Sequence, residues 1–136
     1  MSGCCGPQNE SSTGACALLV CFGGMSNVGT LTGLAALEVV KAGEGMIFCL
    51  ASLANGDSMV QNRLREAERV VAVDGCPLAC ARRIAERAGT PPHAALVLSE
   101  ALEIEKGPPS ALTEGDRERA VTVITETVRG LNPRGK

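Results

Sequence analysis

Tryptophan and tyrosine are absent from this 136-residue chain, and phenylalanine occurs twice, as Phe22 and Phe48. Binders of single-stranded nucleic acid stack bases on aromatic rings and follow phosphates along basic grooves, so two aromatics and a net charge of -2 exclude nucleic acid as a partner. The Trp and Tyr belts of membrane-embedded proteins are missing as well. Residues 11–37 carry no charge, yet Gly23, Gly24, Ser26, Asn27, Gly29, Thr30 and Thr32 interrupt them, so they hold no twenty-residue apolar span and predict no membrane partner. Lys and Arg are lacking from residues 1–20, which argues against a secretory signal. With 45% apolar and 21% charged residues, the chain is too greasy for disorder and long enough for one core.

What the chain has instead is sulfur. Seven cysteines cannot all pair with one another, and a core of this size needs no disulfide staples; reduced thiols and a cytoplasmic setting are expected.

Residues 1–14 are rich in Gly, Ser, Pro and Gln around Cys4 and Cys5 and read as a flexible tail. A single domain is expected over residues 15–136. Residues 15–22 are a continuous apolar run closed by glycines, which predicts a strand buried on both faces. Ser26 or Asn27 is placed to cap a helix that runs to Gly43. Strands then follow at residues 46–50, 69–73 and 94–98, alternating with helices at 59–68 and 77–88. Residues 113–131 place Val121, Ile124, Val128 and Leu131 at helical spacing, although their Val and Thr content also suits a strand; a helix is expected. The alternation predicts an α/β fold, a three-layer sandwich with a mainly parallel sheet of about four strands flanked by helices.

On that scheme Cys21, Cys49, Cys76 and Cys80 fall at or just beyond the carboxyl ends of strands, where α/β proteins place their ligands. In Asp74-Gly75-Cys76-Pro77-Leu78-Ala79-Cys80, Pro77 suits the first helical position, so Cys76 is expected as the cap and Cys80 one turn on. The helix terminus favours thiolate, the form that binds metal or attacks disulfides. Zinc or another thiophilic ion is therefore a candidate cofactor, with Cys21 and Cys49 as natural further ligands. Cysteines four apart on a helix also serve as small buried hydrophobes, and Cys16, early in the first strand, is read as core.

Three other features carry alternatives. The glycine turn of residues 23–29 offers Gly24, Ser26 and Asn27 as contacts for a small anionic ligand, or is simply a capped turn. Asp74 is a candidate base, or hydrogen-bonds backbone N–H groups. His93, the single histidine, is more in keeping with a structural role. Phe22 and Phe48 sit beside Cys21 and Cys49 and are expected to keep the site dry.

Residues 70–82, with the Asp74-Gly75-Cys76 triplet at their centre, resemble the central motif of the DGC-domain family, described as zinc-binding. Residues 25–29 are similar to its first glycine-containing turn, residues 48–51 to its middle cysteine segment and Lys106 to a lysine near its end. The resemblance covers about residues 15–106. It implies zinc ligation by Cys21, Cys49, Cys76 and Cys80, and the N-terminal cysteines of many relatives add Cys4 and Cys5. The rival functions are a thiol redox enzyme using Cys76 and Cys80 as a dithiol pair, and an anion-binding module built on the glycine turn.

Overall fold

A computed structural model describes residues 16–23 and 25–131. Its core is a four-stranded, all-parallel sheet of β1 (Ala17–Val20), β2 (Met46–Phe48), β3 (Val70–Asp74) and β4 (Ala94–Val97), in the order β2-β1-β3-β4. β1 is entirely buried, as its unbroken apolar run requires of a central strand covered on both faces. Leu18 stands level with Ile47 on one side and Val71 on the other, and Val73 with Leu96.

Strand alternation divides the core into two layers. Cys16, Leu18, Val20, Val71 and Val73 share a layer with Leu31, Ala35 and Val39 of α1 (Asn27–Lys41) and Ala120, Ile124 and Val128 of α6 (Glu114–Gly130). On the other face Ala17, Leu19, Val70 and Ala72 meet Leu53 of α2 (Leu50–Ala54), Val60 and Leu64 of α3 (Ser58–Glu66), and Ala81 and Ala85 of α4 (Cys80–Arg87). A short α5 (Leu98–Ala101) follows β4 directly. Full burial of each such Leu or Ile contributes about 1.5–3 kcal/mol, which is why the apolar periodicity dictates the layers.

Local chemistry fixes the helix ends. Ser26 Oγ accepts the Gly29 N–H at 3.0 Å, so Ser26 is the cap of α1 and Asn27 its first helical residue. Asp57 Oδ1 caps α3 through the N–H groups of Met59 and Val60. The Val- and Thr-rich C-terminal segment is helical, started by a capping box in which Thr113 and Asp116 bond each other's backbone.

Two expectations are corrected. Residues 49–66 hold two helices where one was expected, because Gly56, at φ 85°, ends α2 after five residues and Asp57 starts α3. α4 begins at Cys80, not Pro77, and Cys76 is not its cap. Cys76 accepts the Ala79 N–H on its C=O at 3.0 Å in a turn, and Ala79 itself is left-handed, with φ 53° and ψ 50°. The start of α4 is set instead by Asp74, whose two carboxylate oxygens accept the N–H groups of Ala81 at 2.7 Å and Arg82 at 3.2 Å. A buried carboxylate at the end of β3 outbids the local preference of Pro77.

Candidate functional site

In the order β2-β1-β3-β4 the chain leaves β1 towards one edge and returns on its other side with β3, so the switch point of the sheet lies between β1 and β3. Cys21 follows β1 directly, and its N–H donates to Val73 O at 3.0 Å, extending the ladder by one bond. Its own carbonyl accepts the hydroxyl of buried Thr32 at 3.0 Å. Cys76 and Cys80 flank the turn that leads from β3 into α4. Cys80 lies beside the Cys21 thiol, and Cys76 is near enough to act on it electrostatically.

The electrostatics follow from that clustering. Burial, first, and then the neighbouring Cys80, Asp74 and Cys76 push the Cys21 thiol up to about 11. Each disfavours a negative charge on its sulfur, and a cation placed among these groups would reverse the sign. Cys16 is also pushed up to about 11, by burial within the core. At pH 8, Cys16 and Cys21 therefore hold about one thiolate in a thousand. Timed alkylation followed by mass spectrometry is expected to label exposed Cys80 well before either of them; equal rates would contradict the burial and charge argument.

Asp74, Gly75 and Cys76 each have a separate role in this turn.

 Asp74, only 2% exposed, spends both oxygens on the start of α4, and burial pushes its carboxyl upward against the pull of those two N–H groups. Gly75 lies against the first turn of α1, where a Cβ would stand 2.7 Å from the Val28 carbonyl carbon and oxygen and 2.8 Å from Gly29 N. Cys76 then emerges beside Lys106, whose Nζ donates to its Sγ at 3.7 Å.

Lys106 is held there by Asn27, a buried residue whose side chain is fully used. Its Nδ2 donates to Glu105 O at 3.0 Å, its Oδ1 accepts Gly107 N–H at 2.8 Å and Val28 N–H at 2.8 Å, and its own N–H donates to Gly107 O at 3.0 Å. With Gly29 N–H on Ser26 Oγ and Thr30 N–H on Ser26 O, the donors that an anion would use at this helix start are engaged internally. Ser26 and Asn27 therefore serve as a cap and a clamp here. Gly24 and the tail cysteines Cys4 and Cys5 lie outside the described residues.

Cys49 follows edge strand β2, which pairs directly with β1, so it ends the strand beside the one that Cys21 follows. It caps α2, its Sγ accepting Ser52 N–H at 3.4 Å and Ser52 Oγ–H at 3.1 Å. His93 is at the opposite edge of the sheet, where its Nδ1 accepts the Val70 N–H at 2.9 Å. The two aromatics do not enclose the thiols. Phe22 is 60% exposed with its ring seated on Gly33, and Phe48 points into the layer beneath α3, 5.8 Å from the Arg63 guanidinium. Phe48 shares the parity of Met46, which directs both to that layer.

Thr32, Ser52 and the Asn27 clamp were not identified from the sequence. Only Asn27 gave a signal there, as a capping residue, and its partners lie 78 and 80 residues away. Among the described residues, no group of three or more His, Cys, Asp or Glu side chains is placed to hold a metal ion. No described helix is long and apolar enough to cross a membrane.

A curated relative, "Anaerobic and virulence modulator AnvM" from Pseudomonas aeruginosa, is 29% identical over 120 residues, covering 88% of each chain. No solved structure matches this chain. The family described as DGC domain matches residues 17–124, from the first residue of β1 into α6, and the chain belongs to that family.

Proposed function

We propose that the carboxyl edge of this sheet is a thiolate site for a thiophilic metal ion, zinc in the first place. The observation that supports this reading is the approach of Cys21, at the end of β1, to Cys76 and Cys80, in the segment that follows β3. The donor chemistry fits, since soft thiolates select zinc and related ions over hard cations. These three are the proposed donors, with Cys49 next along the same edge and Cys4 and Cys5 as donors from the tail. Because no described trio is already placed for coordination, loading requires side chains to turn or a further donor to arrive.

A bound zinc ion would supply Lewis acidity at this corner. The protein's own groups have definite tasks around it. Asp74 orients the turn that carries Cys76 and Cys80 by holding the Ala81 and Arg82 N–H groups, which makes it a positioning residue. Lys106 brings a positive charge to Cys76. The relative's name describes a modulator, and that supports a regulatory role for such a site over a purely structural one.

Metal content tests the reading. Protein purified under reducing conditions without added metal is expected to carry about one equivalent of zinc, and Cys76→Ser or Cys80→Ser to reduce it at least tenfold, to about a tenth or less. A parent protein with less than about a tenth of an equivalent of any thiophilic metal would overturn it.

A further inference from the structure

The dithiol pair read from the sequence was Cys76 with Cys80, but the structure distributes the contacts differently. Cys80 lies beside Cys21, whereas Cys76 accepts from the Lys106 ammonium at 3.7 Å. The anchors of Cys21 and Cys80 meet on adjacent residues of one strand. Cys21 is tied through its N–H to Val73 O at 3.0 Å, and the residue after Cys80 is tied through its N–H to Asp74 Oδ1 at 2.7 Å. Both bonds end on β3, a fully buried strand, so the backbones that carry Cys21 and Cys80 are anchored at neighbouring positions of the rigid centre of the fold. Their access to solvent differs: Cys80 is exposed and Cys21 is half-buried.

We propose that Cys21 and Cys80 form a reversible disulfide between the end of β1 and the start of α4 when the protein meets a hydroperoxide. The exposed Cys80 sulfur attacks one peroxide oxygen and the O–O bond breaks. The other oxygen leaves with a proton as alcohol or water, and Cys80 becomes a sulfenic acid. The Cys21 sulfur then attacks the Cys80 sulfur, an S–S bond forms, the S–O bond breaks, and hydroxide leaves as water with the Cys21 proton. Two thiols lose two electrons, and one hydroperoxide is reduced to one alcohol and one water. A dithiol reductant reverses the change by exchange, becoming a disulfide itself. The disulfide would occupy two thiols of the proposed metal site, yet its formation does not depend on a metal.

The test treats the full-length protein with hydrogen peroxide, blocks the remaining thiols by alkylation, and maps cross-links by mass spectrometry. Trypsin alone leaves Cys76 and Cys80 on one peptide between Arg69 and Arg82, so chymotrypsin is added to cut at Leu78 and, for Cys21, at Leu19. The expected result is a Cys21 to Cys80 cross-link that a dithiol removes, reached with the loss of two thiols. A cross-link joining Cys76 to Cys80, or peroxide treatment that leaves Cys21 and Cys80 reduced, would overturn the proposal. Cys76→Ser separates this chemistry from metal binding: it is expected to lose metal and to keep the cross-link. In Cys21→Ser a dione probe for sulfenic acid is expected to label Cys80, and absence of that label would overturn the order of attack. Because the wild-type map stands on its own, a variant that fails to fold does not remove the test.

Discussion

Gly75→Ala is expected to lower the stability of the domain by about 3 kcal/mol, near the upper end for forcing extra volume into a packed interior. The added methyl group would lie 2.7 Å from the carbonyl carbon and oxygen of Val28, and these are backbone atoms that no rotamer change can move aside. Nor can the first turn of α1 retreat freely. Ser26 caps it, Asn27 ties it to Gly107, and a Cβ on Gly29 would itself stand 2.6 Å from Gly23 O, so the turn is already packed closely on its outer side. Urea unfolding gives the measurement, with a midpoint lowered by about 1.5 M for a domain of this size. Gly115→Ala is the control, because a Cβ there meets only Thr113 Oγ1 at 3.9 Å within α6. It is expected to leave stability unchanged or raise it by about 0.5–1 kcal/mol. Equal midpoints for the two variants would show that the close approach of Gly75 to α1 is not what the glycine is for.

Asn27→Ala is the second large effect, with an expected loss of about 3 kcal/mol. It removes one donor and one acceptor from inside the protein and leaves Val28 N–H, Gly107 N–H and Glu105 C=O without the partners they have now. Each polar group left unsatisfied costs about 1–3 kcal/mol, and water will recover part of that where the segment is open. Asn27→Asp keeps the acceptor for Val28 and Gly107 but sets a second acceptor oxygen against the Glu105 C=O inside the protein, so a loss of the same order is expected. Amide exchange monitored by NMR distinguishes the cause from general softening. The Gly107 N–H should exchange much faster in Asn27→Ala, while amides in β3 keep their rank. Unchanged protection at Gly107 would mean that the backbone bond from Asn27 N–H to Gly107 O holds the segment without the side chain.

These two positions also mark where the sequence can be read and where it cannot. The strands were legible because β1 and β3 are apolar runs buried on both faces, and α1 because Val28, Leu31, Ala35 and Val39 return at helical spacing. That order of elements implied a parallel sheet and placed the cysteines at its carboxyl edge. What escaped were facts about distance through space. The start of α4 was misplaced because Pro77 is a local signal and Asp74 acts on residues seven and eight further along. That Cys21 also lies beside Cys80 escaped for the same reason: the strand order brings together residues far apart in the chain. α2 escaped because five residues are too few to show a period.

The sheet order has a further consequence, for self-association. Its two outer strands are its weakest templates: β2 has three residues and β4 has four. A second copy adding a strand at either margin would gain only a few ladder hydrogen bonds, too few to offset the freedom lost when two molecules join. The longest strand, β3 with five residues, is an inner one, and it and β1 are already paired on both sides. The margins of the sheet therefore offer little to a second copy, and the helical layers and the cysteine-bearing end are the larger surfaces left for one.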